Sequence, residues 1–207
     1  MRQLRAECEW KAGQTHRSLA RYLLEETHET LEAIDTGDMA HLREELGDLL
    51  LQVYFHAVIA EESGEFTIDD VAGDIIAKMH RRNPHVFAPP GEEKAPGGDA
   101  AAINEAWEAI KAQEKSRDSV TDGLPPGLPA LLYADKVLDR LERTAASDNQ
   151  NSHLDQPQLP LRGGQAPLRG GEGDVGERLL ALVAEARETG VDPEQALRDA
   201  VRRLLPR

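Results

Sequence analysis

Residues 19–58, LARYLLEETHETLEAIDTGDMAHLREELGDLLLQVYFHAV, decide the fold of this chain. Apolar residues recur there at helical spacing as far as Ile34, and Thr36-Gly37-Asp38 then ends the run, with Asp38 able to cap a second helix. The second helix, over about 39–63, is apolar around most of its girth, which predicts burial on several sides. The stretch therefore predicts a helical hairpin, and no strand alternation elsewhere competes with an all-α fold.

Two acidic clusters interrupt these apolar helices, Glu25-Glu26-Thr27-His28-Glu29 and Glu44-Glu45-Leu46-Gly47-Asp48. Within each cluster two acids lie three residues apart and share one helix face; these four are Glu26, Glu29, Glu45 and Asp48. Facing carboxylates repel one another, and the cost grows when packed helices exclude water. A hard, oxygen-seeking cation such as Mg²⁺ reverses that repulsion, so the clusters indicate a divalent-metal site.

The rest of the chain also has helical periodicity. Thr67-Ile68-Asp69-Asp70 is typical of a capping box and predicts a third helix that ends at about Arg82. A loop rich in Pro and Gly, 88–100, precedes helices predicted over about 100–115 and 129–144. Asn, Gln, Pro and Gly then dominate as far as residue 174, which predicts a flexible linker. A closing helical hairpin follows it, and its second helix is predicted to begin at the N-cap Asp192 with Pro193 in the first turn.

Composition narrows the class of protein. The 38 acidic and 24 basic side chains give a formal net charge of −14, which argues against a general nucleic-acid binder. Cys8 is the single cysteine, so no internal disulfide framework is possible. The sequence has neither a signal peptide nor an apolar run of membrane-spanning length, from which we expect a cytoplasmic protein without membrane contact.

Together with the acidic clusters, the Trp10 segment, Arg81-Arg82-Asn83-Pro84-His85-Val86-Phe87 and Trp107-Glu108-Ala109-Ile110-Lys111 form a family pattern. On these motifs the chain resembles the MazG nucleoside triphosphate pyrophosphohydrolases, closely over about 4–118 and weakly from 175 onward. The resemblance implies an all-α bundle that hydrolyses an NTP or dNTP between its α- and β-phosphates, in the service of nucleotide-pool housekeeping. The products are a nucleoside monophosphate and pyrophosphate.

The resemblance also implies roles for individual residues. Its metal ligands, for Mg²⁺ with Mn²⁺ as a possible substitute, correspond to Glu26, Glu29, Glu45 and Asp48. Either Glu25 or Glu29 would take the proton of the attacking water. Lys78, Arg82 and Lys111 match cations that meet the phosphates, since Arg can fork two phosphate oxygens and Lys acts as a point charge. The tryptophans are expected to bind substrate, Trp107 by stacking on the nucleobase from the face that it shares with Lys111, and Trp10 in the N-terminal segment.

Some features depart from the family. The usual CPWD motif is replaced by Cys8-Glu9-Trp10-Lys11, and the C-terminal hairpin resembles the end of a second copy whose first acidic pair is missing. We therefore expect one catalytic helical module at 1–120, a connecting helix at 121–145, the linker at 146–174 and a remnant hairpin at 175–207. A hairpin that is apolar on several sides cannot cover itself, so we expect a homodimer or a higher homo-oligomer.

Two alternatives from other classes remain open at this point. In a di-iron carboxylate protein, Glu25 and His28 would supply an ExxH motif, although a second ExxH would be needed and the second acidic cluster ends in aspartate. In a non-catalytic regulatory helical protein derived from the enzyme, the altered Trp10 segment and the degenerate C-terminal hairpin would have lost their nucleotide roles. Iron content and Mg²⁺-dependent hydrolysis separate these alternatives from the enzyme.

Overall fold

The computed structural model describes residues 1–88, 91, 93–114, 119–151 and 172–205, with the backbone alone for 146–151 and 172–174. These residues contain helices and no strand, which confirms the all-α prediction. The helices are α1 (Arg2–Glu7), α2 (Glu9–Ala12), α3 (His16–Thr36), α4 (Met39–Glu62), α5 (Ile68–Arg82), α6 (Ala100–Gln113), α7 (Ala130–Asn151), α8 (Glu172–Glu188) and α9 (Pro193–Leu204). The chain divides into two compact units, Met1–Lys115 and Ser116–Arg207.

The predicted hairpin is formed by α3 and α4. A capping box between Thr15 and Ser18 starts α3, and the helix ends at Gly37, whose φ of 72° lies in the left-handed region that favours glycine. Asp38 caps α4 as predicted, since one of its carboxylate oxygens accepts from the backbone N–H groups of Ala40 and His41, each at 3.0 Å. Local sequence thus fixes both the turn and the register of the two acidic clusters.

The core of the first unit lies between α3 and α4. Small side chains there let the two helix backbones approach closely, and its buried apolar residues are Leu19, Ala33, Phe55, Ala57, Val58 and Ala60. The sequence predicted that α4 is buried on several sides. On its other side, however, several large apolar residues are exposed in the single chain: Leu46, Leu50, Leu51, Val53 and Tyr54. Several large apolar side chains exposed along one helix are typical of an interaction surface.

Arg5 of α1 ties the N-terminal segment to the end of α4. Its guanidinium is buried and donates to both carboxylate oxygens of Glu62 at 2.6 Å and to the carbonyl oxygen of Lys11 at 2.7 Å. It also lies 5.8 Å from the centre of the Phe55 ring. This single side chain therefore holds α1, α2 and α4 together, a role that nothing in the sequence pattern indicated.

The predicted starts of α5 and α9 are confirmed in detail. The Thr67 hydroxyl accepts from the backbone N–H of Asp70, and the Asp70 carboxylate accepts from the backbone N–H of Thr67 at 2.8 Å, which completes the capping box. Asp192 caps α9, with Pro193 in its first turn. Asp99 caps α6, which ends at Gln113 and so is slightly shorter than the predicted 100–115.

In the second unit α7, α8 and α9 pack together around Leu138 and Val183. Arg187 of α8 joins α7 by donating to the carbonyl oxygen of Asp135 at 2.9 Å and to its carboxylate at 2.6 Å. Helix α7 continues to Asn151, beyond the predicted 129–144, and residues 152–171 of the predicted linker lie outside the described residues. Of the helices that the structure describes, none has the length and apolar character needed to span a membrane.

Candidate metal centre

Packing of α3 against α4 brings the two acidic clusters together. Glu26, Glu29 and Glu45 each offer a carboxylate oxygen, and these three oxygens lie within 4.8 Å of one another. Among the residues that the structure describes, no other group of acidic, histidine or cysteine side chains has the spacing of a metal site. Glu45 is only 6% exposed, Glu26 and Asp48 are half-buried, and Glu29 is exposed. The site is therefore a partly buried cup of carboxylates that remains open at Glu29.

The carboxylates repel one another, as the sequence predicted. The pKa of Glu26 is raised above its ordinary value, first by burial, then by the negative charges of Asp48 and Glu29, and also by a hydrogen bond with Glu29 and the charge of Glu45. Asp48 thus acts on Glu26 across the helix pair, although it lies outside the group of three. The arrangement concentrates negative charge at one point between two helices, where a cation would be stabilised.

Glu45 carries the clearest sign of a missing positive partner. One of its carboxylate oxygens, Oε1, lies 2.9 Å from the Nε2 atom of His41, one turn earlier on α4. The other, Oε2, is buried and has no hydrogen-bond partner among the described residues. A buried acceptor without a donor is costly, and a donor set made only of carboxylate oxygens suits Mg²⁺ or Mn²⁺ rather than a softer metal. The residues present therefore fit a hard divalent cation.

Glu25 and His28 lie outside this group. Both are exposed on α3, and neither joins the three carboxylates of the group. The two residues of the ExxH motif that a di-iron protein would use therefore do not join the other acids in one site. The group of three contains no histidine. Glu25 is next to Glu26 in sequence, and its side chain is exposed.

A second polar cluster joins α5 to the end of α6. Glu114 accepts from Arg81 Nε at 2.6 Å and from Arg82 Nε at 3.1 Å, and Arg82 Nη2 also donates to it. The Arg82 guanidinium lies 5.2 Å from the centre of the Trp107 ring. These contacts lower the pKa of Glu114 to about 2, because the hydrogen bonds from Arg82 and Arg81 stabilise its charged form. The predicted phosphate ligand Arg82 is therefore paired within the chain.

The other predicted substrate-binding residues occupy separate positions. Lys111 donates to Glu108, three residues earlier on α6, at 3.0 Å, and Lys78 is half-buried on α5. Trp10 is 53% exposed, with Tyr22 edge-on to it at 6.3 Å and the Lys11 ammonium 5.3 Å from its ring centre. The structure thus associates Arg82 with Trp107 but does not place Trp10 with them.

Two partners of these sites were missed in the sequence. His41 stands four residues before Glu45, at the spacing that brings two side chains together on a helix, and pairs with it. That spacing is visible in the sequence and could have been used. Glu114 could not have been found in the same way, because its pairing with Arg81 and Arg82 depends on how α5 and α6 pack.

Comparisons with known proteins point to one family. Residues 14–87 match the model of the MazG nucleotide pyrophosphohydrolase domain. A nucleoside triphosphate pyrophosphohydrolase/pyrophosphatase MazG from Thermotoga maritima is 38% identical over 207 residues, which cover 97% of this chain and 77% of that protein. A nucleoside triphosphate pyrophosphohydrolase from Mycobacterium tuberculosis is 47% identical over 148 residues, covering 69% of this chain and 43% of that protein. The crystal structure of a mazG-related protein from Thermotoga maritima matches 53% of this chain and 91% of its own at 24% identity and a TM-score of 0.44.

An all-α hairpin that gathers carboxylates between its helices defines a class of helical proteins with a candidate metal site. Within that class, the chain belongs to the MazG family, since its similarity to the Thermotoga maritima relative extends over nearly its whole length. The matched region 14–87 contains both acidic clusters and ends at the Asn83–Phe87 segment. The family that the sequence motifs resembled is therefore confirmed.

Proposed function

We propose that this chain is a Mg²⁺-dependent nucleoside triphosphate pyrophosphohydrolase, with Mn²⁺ as an effective substitute. It cleaves an NTP or dNTP between the α- and β-phosphates and releases a nucleoside monophosphate and pyrophosphate. The observation that carries the proposal is the group of three carboxylate oxygens within 4.8 Å of one another, together with the unpartnered Oε2 of Glu45. The relatives from Thermotoga maritima and Mycobacterium tuberculosis are both named nucleoside triphosphate pyrophosphohydrolases, which supports the reaction type.

In this proposal the metal ligands are Glu26, Glu29, Glu45 and Asp48. When bound there, Mg²⁺ neutralises triphosphate charge and lowers the pKa of a coordinated water. His41 holds Glu45 through Oε1, which leaves Oε2 directed elsewhere. A histidine that orients a carboxylate in this way fixes the rotamer of the ligand before any metal arrives.

The proton of the attacking water goes to a carboxylate at the open edge of the cup. Glu29 is the exposed member of the group, and Glu25 is exposed four residues earlier on α3, so either one can reach solvent to release the proton afterwards. Glu26 is less suited to this role, because it is half-buried within the group. Burial and the neighbouring charges also raise its pKa. An exposed carboxylate within the group, as Glu29 is, or next to a ligand in sequence, as Glu25 is, is the better proton acceptor.

The phosphates and the base are bound by α5 and α6. Arg82 is stacked near Trp107 and already binds one planar anion, the carboxylate of Glu114, with two nitrogens. A phosphate offers oxygens at similar spacing, so it can compete for the same fork. Lys78 lies one turn before Arg82, and Lys111 one turn after Trp107, so both can add charge on the phosphate side. Trp107 stacks on the base, with Trp10 as a second aromatic contact.

The exposed face of α4 supports the proposed homodimer. Leu46, Leu50 and Val53 lie at helical spacing along it, and Leu50 is 54% exposed in the single chain. Burying such a stripe against its own copy is the simplest way to remove it from water. We further propose that catalysis belongs to residues 1–120, and that the connecting helix, linker and C-terminal hairpin serve assembly. The physiological role is cleansing of the cytoplasmic nucleotide pool.

A product analysis on a mixed nucleotide panel tests the reaction. The protein is incubated with each NTP and dNTP in Mg²⁺, in Mn²⁺ and in EDTA, and monophosphate, pyrophosphate and inorganic phosphate are measured separately. We expect equimolar monophosphate and pyrophosphate in either metal and neither product in EDTA. Inorganic phosphate as the sole product would contradict α–β cleavage, and inactivity on every nucleotide would support a regulatory protein instead.

A further inference from the structure

A glutamine on the metal-bearing face of α4 has an unexplained polar atom. Gln52 is only 5% exposed, and its amide oxygen Oε1 is buried without a hydrogen-bond partner among the described residues. Leaving a buried acceptor without a donor destabilises the folded state, and an apolar side chain of the same size would avoid that cost. A polar residue retained at such a position is therefore expected to find its donor in something that the chain alone does not contain.

The position of Gln52 connects it to the carboxylate cup. It lies four residues after Asp48 and seven after Glu45, so all three share one face of α4. Side chains in a helix lean toward its N-terminus and cover the preceding turn. The Gln52 amide therefore leans over the turn of Asp48, on the side where Glu45 carries its own unpartnered oxygen. Two buried acceptors without donors thus flank Asp48 on one helix face.

The carboxylates of the cup cannot supply the missing donor. Ionised carboxylates only accept hydrogen bonds, so the acidic residues of the cup offer Gln52 Oε1 nothing. Water bound to a divalent cation is a strong donor, and Mg²⁺ keeps several of its waters when proteins bind it. Such waters need acceptors around them, and partners of this outer kind orient a metal site and tune its affinity.

We propose that Gln52 Oε1 accepts a hydrogen bond from a water on the metal ion of the carboxylate cup. This inference rests on the proposed function and adds to it one positioning residue that is neither a ligand nor a contact of the phosphates. It also explains why the amide is buried on the ligand face of α4. The metal-free protein carries the cost of the unpartnered oxygen, and metal binding removes it.

Binding of Mn²⁺ to the nucleotide-free protein tests the inference without reference to activity. Affinity is measured by electron paramagnetic resonance titration for the wild type, Gln52→Met, Gln52→Glu and the matched control Thr30→Val. Thr30 is also buried and polar, but its hydroxyl already donates to the carbonyl oxygen of Glu26 at 2.8 Å, so it has no need of a metal-bound water. Methionine keeps the length of glutamine without its acceptor, and glutamate keeps an acceptor.

We expect Gln52→Met to weaken Mn²⁺ binding by about 10–100-fold, the range seen when an outer partner of a metal site is lost. Gln52→Glu and Thr30→Val should bind at least about as tightly as the wild type. The Tm of Gln52→Met in EDTA should rise, because the unpartnered acceptor is gone.

Three results would overturn this inference or its basis, and they are distinguishable. Equal Mn²⁺ affinity of Gln52→Met and the wild type would refute the role of Gln52 while leaving the metal site intact. A lower Tm of Gln52→Met in EDTA would show that the amide has a structural partner instead. Failure of the wild type to bind Mn²⁺ would refute the proposed metal site itself.

Discussion

Replacing Glu26 by Gln should stabilise the metal-free protein while abolishing its stabilisation by metal. The substitution removes one negative charge and almost no volume from a group whose oxygens lie within 4.8 Å of one another. Two unit charges at 4.8 Å repel by about 0.9 kcal/mol at the dielectric constant of water, and by about 3.5 kcal/mol at an effective dielectric constant of 20. Glu26 faces Glu29 and Glu45 within this distance, so even the lower value, counted for both neighbours, gives a gain of roughly 2 kcal/mol.

That free energy translates into a measurable thermal shift. For a chain of this size about 1 kcal/mol corresponds to roughly 2–4 °C, so the Tm of Glu26→Gln in EDTA should exceed that of the wild type by about 4–8 °C. In saturating Mg²⁺ the order should reverse, since a ligand at 100 times its Kd stabilises a folded protein by about 2.7 kcal/mol and the variant has lost a ligand. Circular dichroism melts in both buffers provide the measurement.

The pH dependence gives the same prediction a second, independent form. The folded-state pKa of Glu26 is raised above its ordinary value of 4.5, so the protonated carboxyl is favoured by folding and its ionisation at neutral pH opposes folding. The advantage of Glu26→Gln should be complete above the folded-state pKa and should vanish below pH 4.5, where Glu26 is neutral in both states.

Glu44→Gln, an exposed neighbour of Glu45 on α4, is the matched control and should change the Tm little in either buffer. A Glu26→Gln variant that is less stable than the wild type in EDTA would show that the carboxylates do not repel and would refute the reasoning.

Other predictions follow from the clusters outside the cup. Glu114→Gln should lower the Tm at pH 7, because the Glu114 carboxylate stabilises the fold while it is charged. Since its folded-state pKa is about 2, the difference in Tm from the wild type should disappear as the pH falls from 4.5 to about 2. An unchanged difference at pH 3 would contradict this. The same variant frees the fork of Arg82, so its KM for the nucleotide should fall; a rise in KM would exclude Arg82 from phosphate binding. Leu50→Glu should convert the dimer to a monomer in light scattering at micromolar concentration, whereas Leu204→Glu, at another exposed leucine, should leave the mass unchanged; a wild-type monomer would contradict the proposed interface.

Local sequence signals predicted the helices well. The capping residues Asp38, Thr67 and Asp192 each act as predicted, because a cap depends on side chains only a few residues away. The convergence of the acidic clusters was also predictable, since a short turn at Gly37 forces α3 and α4 to pack side by side. Spacing within each helix then decides which acids face the partner.

The missing parts depend on contacts between residues distant in sequence. Arg5 reaches Glu62 across 57 residues, and Arg82 reaches Glu114 across 32. No periodicity marks such a pair, because any exposed arginine and glutamate have the same local pattern. The unpartnered oxygens of Glu45 and Gln52 are likewise visible only after packing has decided which atoms water cannot reach.

The central claim is that carboxylates of α3 and α4 hold one metal centre that performs the hydrolysis. The most direct measurement is the rate of pyrophosphate release from an NTP in saturating Mg²⁺ by the wild type and by the double variant Glu26→Gln, Glu29→Gln. We predict that this rate is at least about 10²-fold lower for the double variant, because the variant has lost two ligands of the metal that would stabilise the charge developing during hydrolysis. Pyrophosphate release at the wild-type rate from a folded double variant would contradict the account.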